Sequence, residues 1–184
     1  LELLAVFTHD LSNPLQSITV LCELGMDPDG GDDVAAQCLT ASERMRTLIH
    51  GLSGFTRGLE RPSEIGLVVG RLRALLARRF ERHQLQVDFD YDSLSSRPSP
   101  PELELCLMTT CLGVIATMSE LRVRGSFSLS ARADGERAEV SVICKTQQGA
   151  PIAPSAEHLE RIRVLGGETI DVVHDGPQIT FRFS

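Results

Sequence analysis

Phe7-Thr8-His9-Asp10-Leu11-Ser12-Asn13-Pro14-Leu15 is the stretch from which the fold of this 184-residue chain is read. Around it, Leu4, Phe7, Leu11, Ile18 and Leu21 recur at helical spacing, with Pro14 on the same stripe. That spacing marks a helix packing lengthwise on other helices. His9 then falls on the opposite, outward side, where it is open to a partner and is not needed for packing. An imidazole is a nucleophile near neutral pH when one nitrogen is unprotonated. Its neighbour Asp10 can hold the ring tautomer or take the ring proton. Asn13, one turn beyond His9, puts an amide on the same face to orient a water or a phosphoryl oxygen. Pro14 removes one backbone hydrogen bond and is expected to bend the helix there.

Outward from this segment, residues 26–33 (MDPDGGDD) read as a turn. A second apolar stripe follows at Cys38, Ala41, Met45, Leu48, Leu52, Phe55 and Leu59. Two such helices make an antiparallel hairpin over residues 1–60. One hairpin cannot cover both its stripes, so a homodimer closing a four-helix bundle is expected. The alternative is a hairpin folded back on the rest of its own chain.

After Arg61-Pro62-Ser63 the pattern turns to mixed α/β over residues 64–184. Ile65, Val68, Val69, Leu72, Leu75, Leu76 and Phe80 form one helical face, and Leu85, Val87, Phe89 and Tyr91 alternate as a strand. A polar Ser/Pro loop leads into an apolar helix over residues 101–119. Phe127, Leu129 and Ala131 alternate before Asp134-Gly135, a hairpin turn into Val140, Val142 and Cys144. A short helix over 155–165 stops at Gly166-Gly167. Ile170 and Val172, then Ile179, Phe181 and Phe183, flank a last turn at Asp175-Gly176. The expected fold class is α+β: the hairpin, then a sandwich of five strands with three helices on one face.

Eighteen basic against 25 acidic side chains give a net charge of −7. That balance argues against nucleic acid or an anionic membrane as the main partner, because both reward clustered Lys and Arg. No apolar run approaches the roughly 18 residues of a membrane span, and the first ten residues lack the basic start and cleavage site of a signal peptide. The missing initiator Met leaves open a sensor region upstream. Cys22, Cys38, Cys106, Cys111 and Cys144 show no C-x-x-C spacing and read as small buried apolar groups in a reducing cytoplasm. His50 is expected on the helix surface, and His83 at a helix end, where positive charge is favourable. His158 and His174 lack companions at metal-ligand spacing, so no metal is expected.

His-Asp-Leu-Ser-Asn-Pro-Leu at residues 9–15 resembles the H-box of sensor histidine kinases: a His, an acid, an apolar residue, two variable positions, then Pro-Leu. In that family the box lies on the first helix of a dimeric hairpin, and its His is phosphorylated. The resemblance implies the same for His9. The α/β half looks like the family's ATP-binding domain, with residues 101–119 in the place of its Asn-bearing magnesium helix. Residues 166–172 are similar to its Gly-Gly strand entry, and residues 176–184 to its final strand.

The family's ATP binding relies on a side-chain Asn for magnesium, an acid that reads the adenine amino group, and a Gly-rich segment flanking a lid. Here the one Asn in the chain is Asn13, residues 144–155 (CKTQQGAPIAPS) hold no acid, and residues 155–165 hold no Gly. A retained H-box beside such a domain is similar to the ChpT-type histidine phosphotransferases of bacterial phosphorelays. That resemblance implies a cytoplasmic phosphocarrier that binds response-regulator receiver domains. His9 would pass a phosphoryl group between receiver aspartates without ATP, using no cofactor of its own, the magnesium being supplied by the receiver. The alternatives are a pseudokinase acting as a response-regulator phosphatase through Asn13, and a dimeric scaffold in which His9 is never phosphorylated.

Overall fold

The structure, a computed structural model, describes residues 2–24 and 31–184; the side chains of residues 2–6, 9, 23, 24 and 31–33 lie outside the described residues. The chain divides into two compact units, Leu1–Ser53 and Gly54–Ser184.

The first unit is built on helix α1 (Glu2–Leu24) and the greater part of α2 (Gly31–Gly58). Phe7 and Pro14 of α1 are buried, and Leu11, Ile18 and Leu21 are half-buried. On α2, Ala41 and Leu48 are buried while Cys38, Met45 and Leu52 are half-buried. The stripes are the ones the periodicity names, and a single chain covers them only in part. Of the expected turn, residues 26–30 lie outside the described residues, and Gly31, Asp32 and Asp33 are already helical. Two acids in a first turn suit the positive end of the helix dipole. Ser12, Ser17 and Thr19 donate their hydroxyls to the carbonyls of Thr8, Asn13 and Leu15, four residues back, which lets polar residues sit inside α1.

The last turn of α2, from Gly54, belongs to the second unit, so the units part before the residue-60 boundary expected from composition. There follow β1 (Ser63–Glu64), α3 (Ile65–Arg82), β2 (Gln86–Asp90), a 3-10 turn (Asp92–Leu94), β3 (Pro98–Ser99), α4 (Pro101–Leu121), β4 (Gly125–Asp134), β5 (Arg137–Thr146), α5 (Ala156–Gly166), β6 (Asp171–Asp175) and β7 (Gln178–Phe183). The main sheet has five strands in the order β2-β4-β5-β7-β6. β2 and β4 are parallel and the other pairs antiparallel. A parallel pair needs a crossover, which α4 provides. The β4–β5 hairpin closes at Asp134↔Arg137, and Gly135 between them takes a positive φ of 60°. A two-residue pairing of β1 with β3, hidden in the expected Ser/Pro loop, is pinned where Ser99 Oγ donates to the Ser63 carbonyl at 2.8 Å.

The core lies on one face of the sheet. Phe127, Leu129 and Ala131 of β4 point inward with Val140, Val142 and Cys144 of β5 and Ile179, Phe181 and Phe183 of β7. Phe80 of α3 meets Phe127 with ring centroids 5.6 Å apart, placing α3 over that face. All seven apolar positions named for α3 are buried. α4 has Pro101 in its first turn, Glu102 and Glu104 at its positive end, and Arg122 closing it in the left-handed region. Among the described residues it is the one helix long and apolar enough to cross a membrane, a run the sequence reading passed over; here it is mostly buried as the core helix of this unit. Cys106, Cys111 and Cys144 are buried as expected, and burial pushes the Cys106 and Cys144 thiols up to about 12. Cys22 is exposed and Cys38 half-buried, so the expectation of buried thiols holds for three of the five.

Inside this apolar layer sits one ion pair. Arg71 of α3 grips Glu104 of α4 through two bonds, Nε to Oε1 at 2.7 Å and Nη2 to Oε2 at 2.6 Å, with the Glu104 side chain 1% exposed. Burial pushes the Glu104 carboxyl up, and the guanidinium pulls it back by hydrogen bonding and by charge. The last turn of α2 closes over the pair. A Cβ at Gly58 would overlap the Glu104 carboxylate, and one at Gly54 would come within 2.7 Å of Arg71 Cδ. Glu104→Ala leaves a guanidinium without its counter-charge and is expected to lower the unfolding free energy by about 3 kcal/mol, while Arg71→Met with Glu104→Leu recovers most of that loss. Urea denaturation of the three proteins measures both.

Candidate functional site

The H-box lies in the middle of α1, in unbroken helix on both sides of Pro14. The His9 side chain is outside the described residues, so its outward direction remains an expectation. Asp10 is buried, 9% exposed, and Asn13 is half-buried. Asp10 stands three residues after Phe7 and four before Pro14, so the phase that turns those two inward turns Asp10 inward too. It projects about 100° around the helix from His9, because successive residues are separated by that angle. Asn13, at i+4, keeps the His9 side of the helix.

The second element of interest is where α5 meets α4. Ser155 caps α5: its Oγ accepts the His158 backbone N–H at 3.4 Å and lies 2.9 Å from His158 Nδ1. This holds the His158 ring against Gly113 in the middle of α4. A Cβ at Gly113 would sit 2.9 Å from His158 Cδ2 and 3.2 Å from Pro154 Cβ. One helical turn later, Cys106 Sγ donates to the Ile162 carbonyl at 3.6 Å. Gly166 then packs on Ile170 and Val172 close to the same sulfur, and Gly167 ends the helix with a φ of 55°. α5 therefore runs back along α4 from Gly113 to Cys106. The segment before it is equally tied down. Thr146 N–H donates to the Ala150 carbonyl, the Ala150 N–H donates to Thr146 Oγ1, and Ile152, 3% exposed, donates its N–H to the Cys144 carbonyl.

By the sequence resemblance, α4 stands in the place of the kinase family's magnesium helix. Where the resemblance would put that helix's amides, the chain has Thr110, which donates to the Cys106 carbonyl inside the core, and Gly113, covered by Pro154 and His158. These two positions do not fit a magnesium site: the Thr110 hydroxyl is buried and donates to a carbonyl of its own helix, and Gly113 brings no side chain at all. Residues 156–166, the stretch left for a lid, are all helix.

The remaining histidines are dispersed. His50 is exposed. His83 ends α3, but burial, then the charges of Arg82 and Arg79, pull its imidazole below its ordinary value, so the favourable positive charge expected at that helix end does not prevail. Among the described residues no group of three or more His, Cys, Asp or Glu side chains is placed to hold a metal ion.

Sequence reasoning did not find the Arg71–Glu104 pair or the His158–Gly113 contact. A single acid in the apolar run 103–108 was the available signal for the first. For the second it was a Gly midway along a helix, where Gly costs about 1 kcal/mol relative to Ala and so calls for a packing reason. Gly113→Ala is expected to destabilise the second unit by roughly 1–3 kcal/mol through overpacking. Adding His158→Ala to that variant is expected to relieve most of the penalty, and thermal or urea unfolding of the single and double variants tests the coupling.

No family model and no curated protein matches the chain. Solved structures do match. A bacterial phosphotransferase is similar over 98% of this chain and 92% of its own, with a TM-score of 0.59 at 13% identity. The nucleotide-free catalytic domain of histidine kinase ThkA is similar over 67% of this chain and 94% of its own, with a TM-score of 0.50 at 13% identity. At these identities the likeness is one of fold: the chain has a histidine kinase-like fold, shared over nearly its whole length with a bacterial phosphotransferase.

Proposed function

We propose that this protein is a histidine phosphotransferase of a two-component phosphorelay. His9 accepts a phosphoryl group from an aspartyl phosphate on one receiver domain and passes it to an aspartate on another, without ATP. The observation that carries the reading is an H-box sequence on a continuous helix α1 in a chain whose α4 is covered at Gly113 by Pro154 and His158. A chain that keeps the H-box but lacks the Asn, acid and Gly-rich lid of nucleotide binding is suited to receive phosphate from another protein. In the transfer, a ring nitrogen of His9 forms the N–P bond as the O–P bond of the acyl phosphate breaks, and the receiver carboxylate leaves. The other ring nitrogen keeps its proton or yields it to a base, the part assigned to Asp10. Asn13 orients a phosphoryl oxygen. Positioning does most of the work in such transfers, and the receiver supplies magnesium and the acidic pocket.

The working form is a homodimer whose hairpins close a four-helix bundle. What supports this is that Leu11, Ile18, Leu21, Met45 and Leu52 are only half-covered in one chain, while Leu15 and Ile49 beside them are 54% and 49% exposed. A second hairpin would remove that apolar surface from water.

Two measurements follow from this reading. Incubation with a receiver carrying labelled phosphate on its aspartate is expected to leave stable label on His9, and His9→Ala is expected to abolish it. Loss of receiver phosphate with no label on His9 would favour hydrolysis assisted by Asn13, and no reaction at all would leave a scaffold. In light scattering, the wild type is expected at twice the chain mass and the Leu15→Arg, Ile49→Arg double variant at the mass of one chain; a monomeric wild type contradicts the bundle.

A further inference from the structure

Strand β2 ends the main sheet on one side. Its one neighbour is β4, and among the described residues no backbone hydrogen bond joins residues 86–90 to any other element. Alternate N–H and C=O groups along its free edge therefore point away from the sheet. The side chains are uncovered on that side too. Val87 and Phe89 face the core yet are only half-buried, whereas Phe127 and Leu129, their partners on β4, are each 1% exposed. What the inner pair lacks is a strand on the far side.

On the other face of the sheet, Asp88 and Asp90 are exposed, opposite Ser128 and Ser130 of β4. Among the described residues neither carboxylate takes part in an ion pair or a side-chain hydrogen bond. The opposite edge of the sheet differs. There Asp171 of β6 stands across from Arg182 of β7, and Val172 packs on Gly166 of α5.

We propose that the free edge of β2 docks an extended segment of a partner protein in which apolar and basic residues alternate. The segment adds a strand to the sheet through its backbone. Its apolar side chains cover Val87 and Phe89 on the core face, and its basic ones meet Asp88 and Asp90 on the other. Charge selects the occupant. Two copies of β2 paired antiparallel about Asp88 or Phe89 would set carboxylate against carboxylate, which disfavours a second copy of this chain. Lys or Arg at the same positions sets opposite charges across the pair. Nothing in this proposal uses His9, so it stands apart from the phosphotransfer reading.

The probe is a blocked hexapeptide of alternating Val and Arg, with a peptide of alternating Val and Glu as control. Added at millimolar concentration to the folded full chain, the basic peptide is expected to bind saturably and to slow hydrogen exchange at the amides of residues 86–90, with residues 171–175 unchanged. The acidic peptide, and a basic peptide methylated on every backbone nitrogen, are expected not to bind. Asp88→Asn with Asp90→Asn is expected to weaken the basic peptide by roughly tenfold. Asp88→Lys with Asp90→Lys is expected to reverse the preference in favour of the acidic peptide. Absence of saturable binding, protection shared equally with residues 171–175, equal binding of the methylated peptide, or a charge-swapped variant that folds and keeps the wild-type preference would each overturn the proposal.

Discussion

α5 can lie along α4 because Gly113 presents no side chain to it, and much of the second unit follows from that contact. With His158 seated over Gly113 and Pro154 beside it, the chain leaving β5 must turn back at once. It does so through the Thr146–Ala150 turn and the Ile152 bond to Cys144, and Ser155 then caps the helix that completes the contact. At the far end Gly166 and Gly167 stop α5 and release the chain into β6 at the edge of the sheet. In kinases that share this fold, the sequence resemblance assigns the same region to nucleotide, magnesium and a movable lid. Here it is spent on packing. Helix packing of this kind needs no polar anchors, and Thr and Gly serve it on α4 while residues 144–155 carry no acid.

The Arg71–Glu104 pair is the polar counterpart of that packing. A carboxylate buried between two helices is costly unless a partner holds it, and the two-pronged grip of Arg71 does so. The pair also leaves no room for a side chain at Gly58, so the end of α2 is received by a surface that only glycine fits. Shape and charge act on the same few atoms, so small changes there carry large consequences for the unit.

Most of the architecture was legible in the sequence because it is periodic. The stripes of α1, α2 and α3, the alternation in β4, β5 and β7, and the turns at Asp134-Gly135 and Asp175-Gly176 all use repeats of 3.6 or 2, or dipeptides with a stated backbone need. What escaped is contact between positions distant in the chain. Arg71 and Glu104 are 33 residues apart, and β1 with β3 pairs only two residues on each side. Asp10 is an intermediate case. The same phase that reads Phe7 and Pro14 as inward reads Asp10 as inward, yet its place beside His9 in a motif drew attention to chemistry first. Its burial sets the Asp10 carboxyl toward the packed side of the helix, at 9% exposure, one position on from His9.

The central claim is that the region beside α4 is closed to nucleotide by the chain itself, so that any phosphoryl group on His9 comes from another protein. Calorimetric titration of the full chain with ATP and magnesium tests this most directly. The account predicts no measurable heat of binding at millimolar nucleotide; saturable binding in the micromolar range would contradict it.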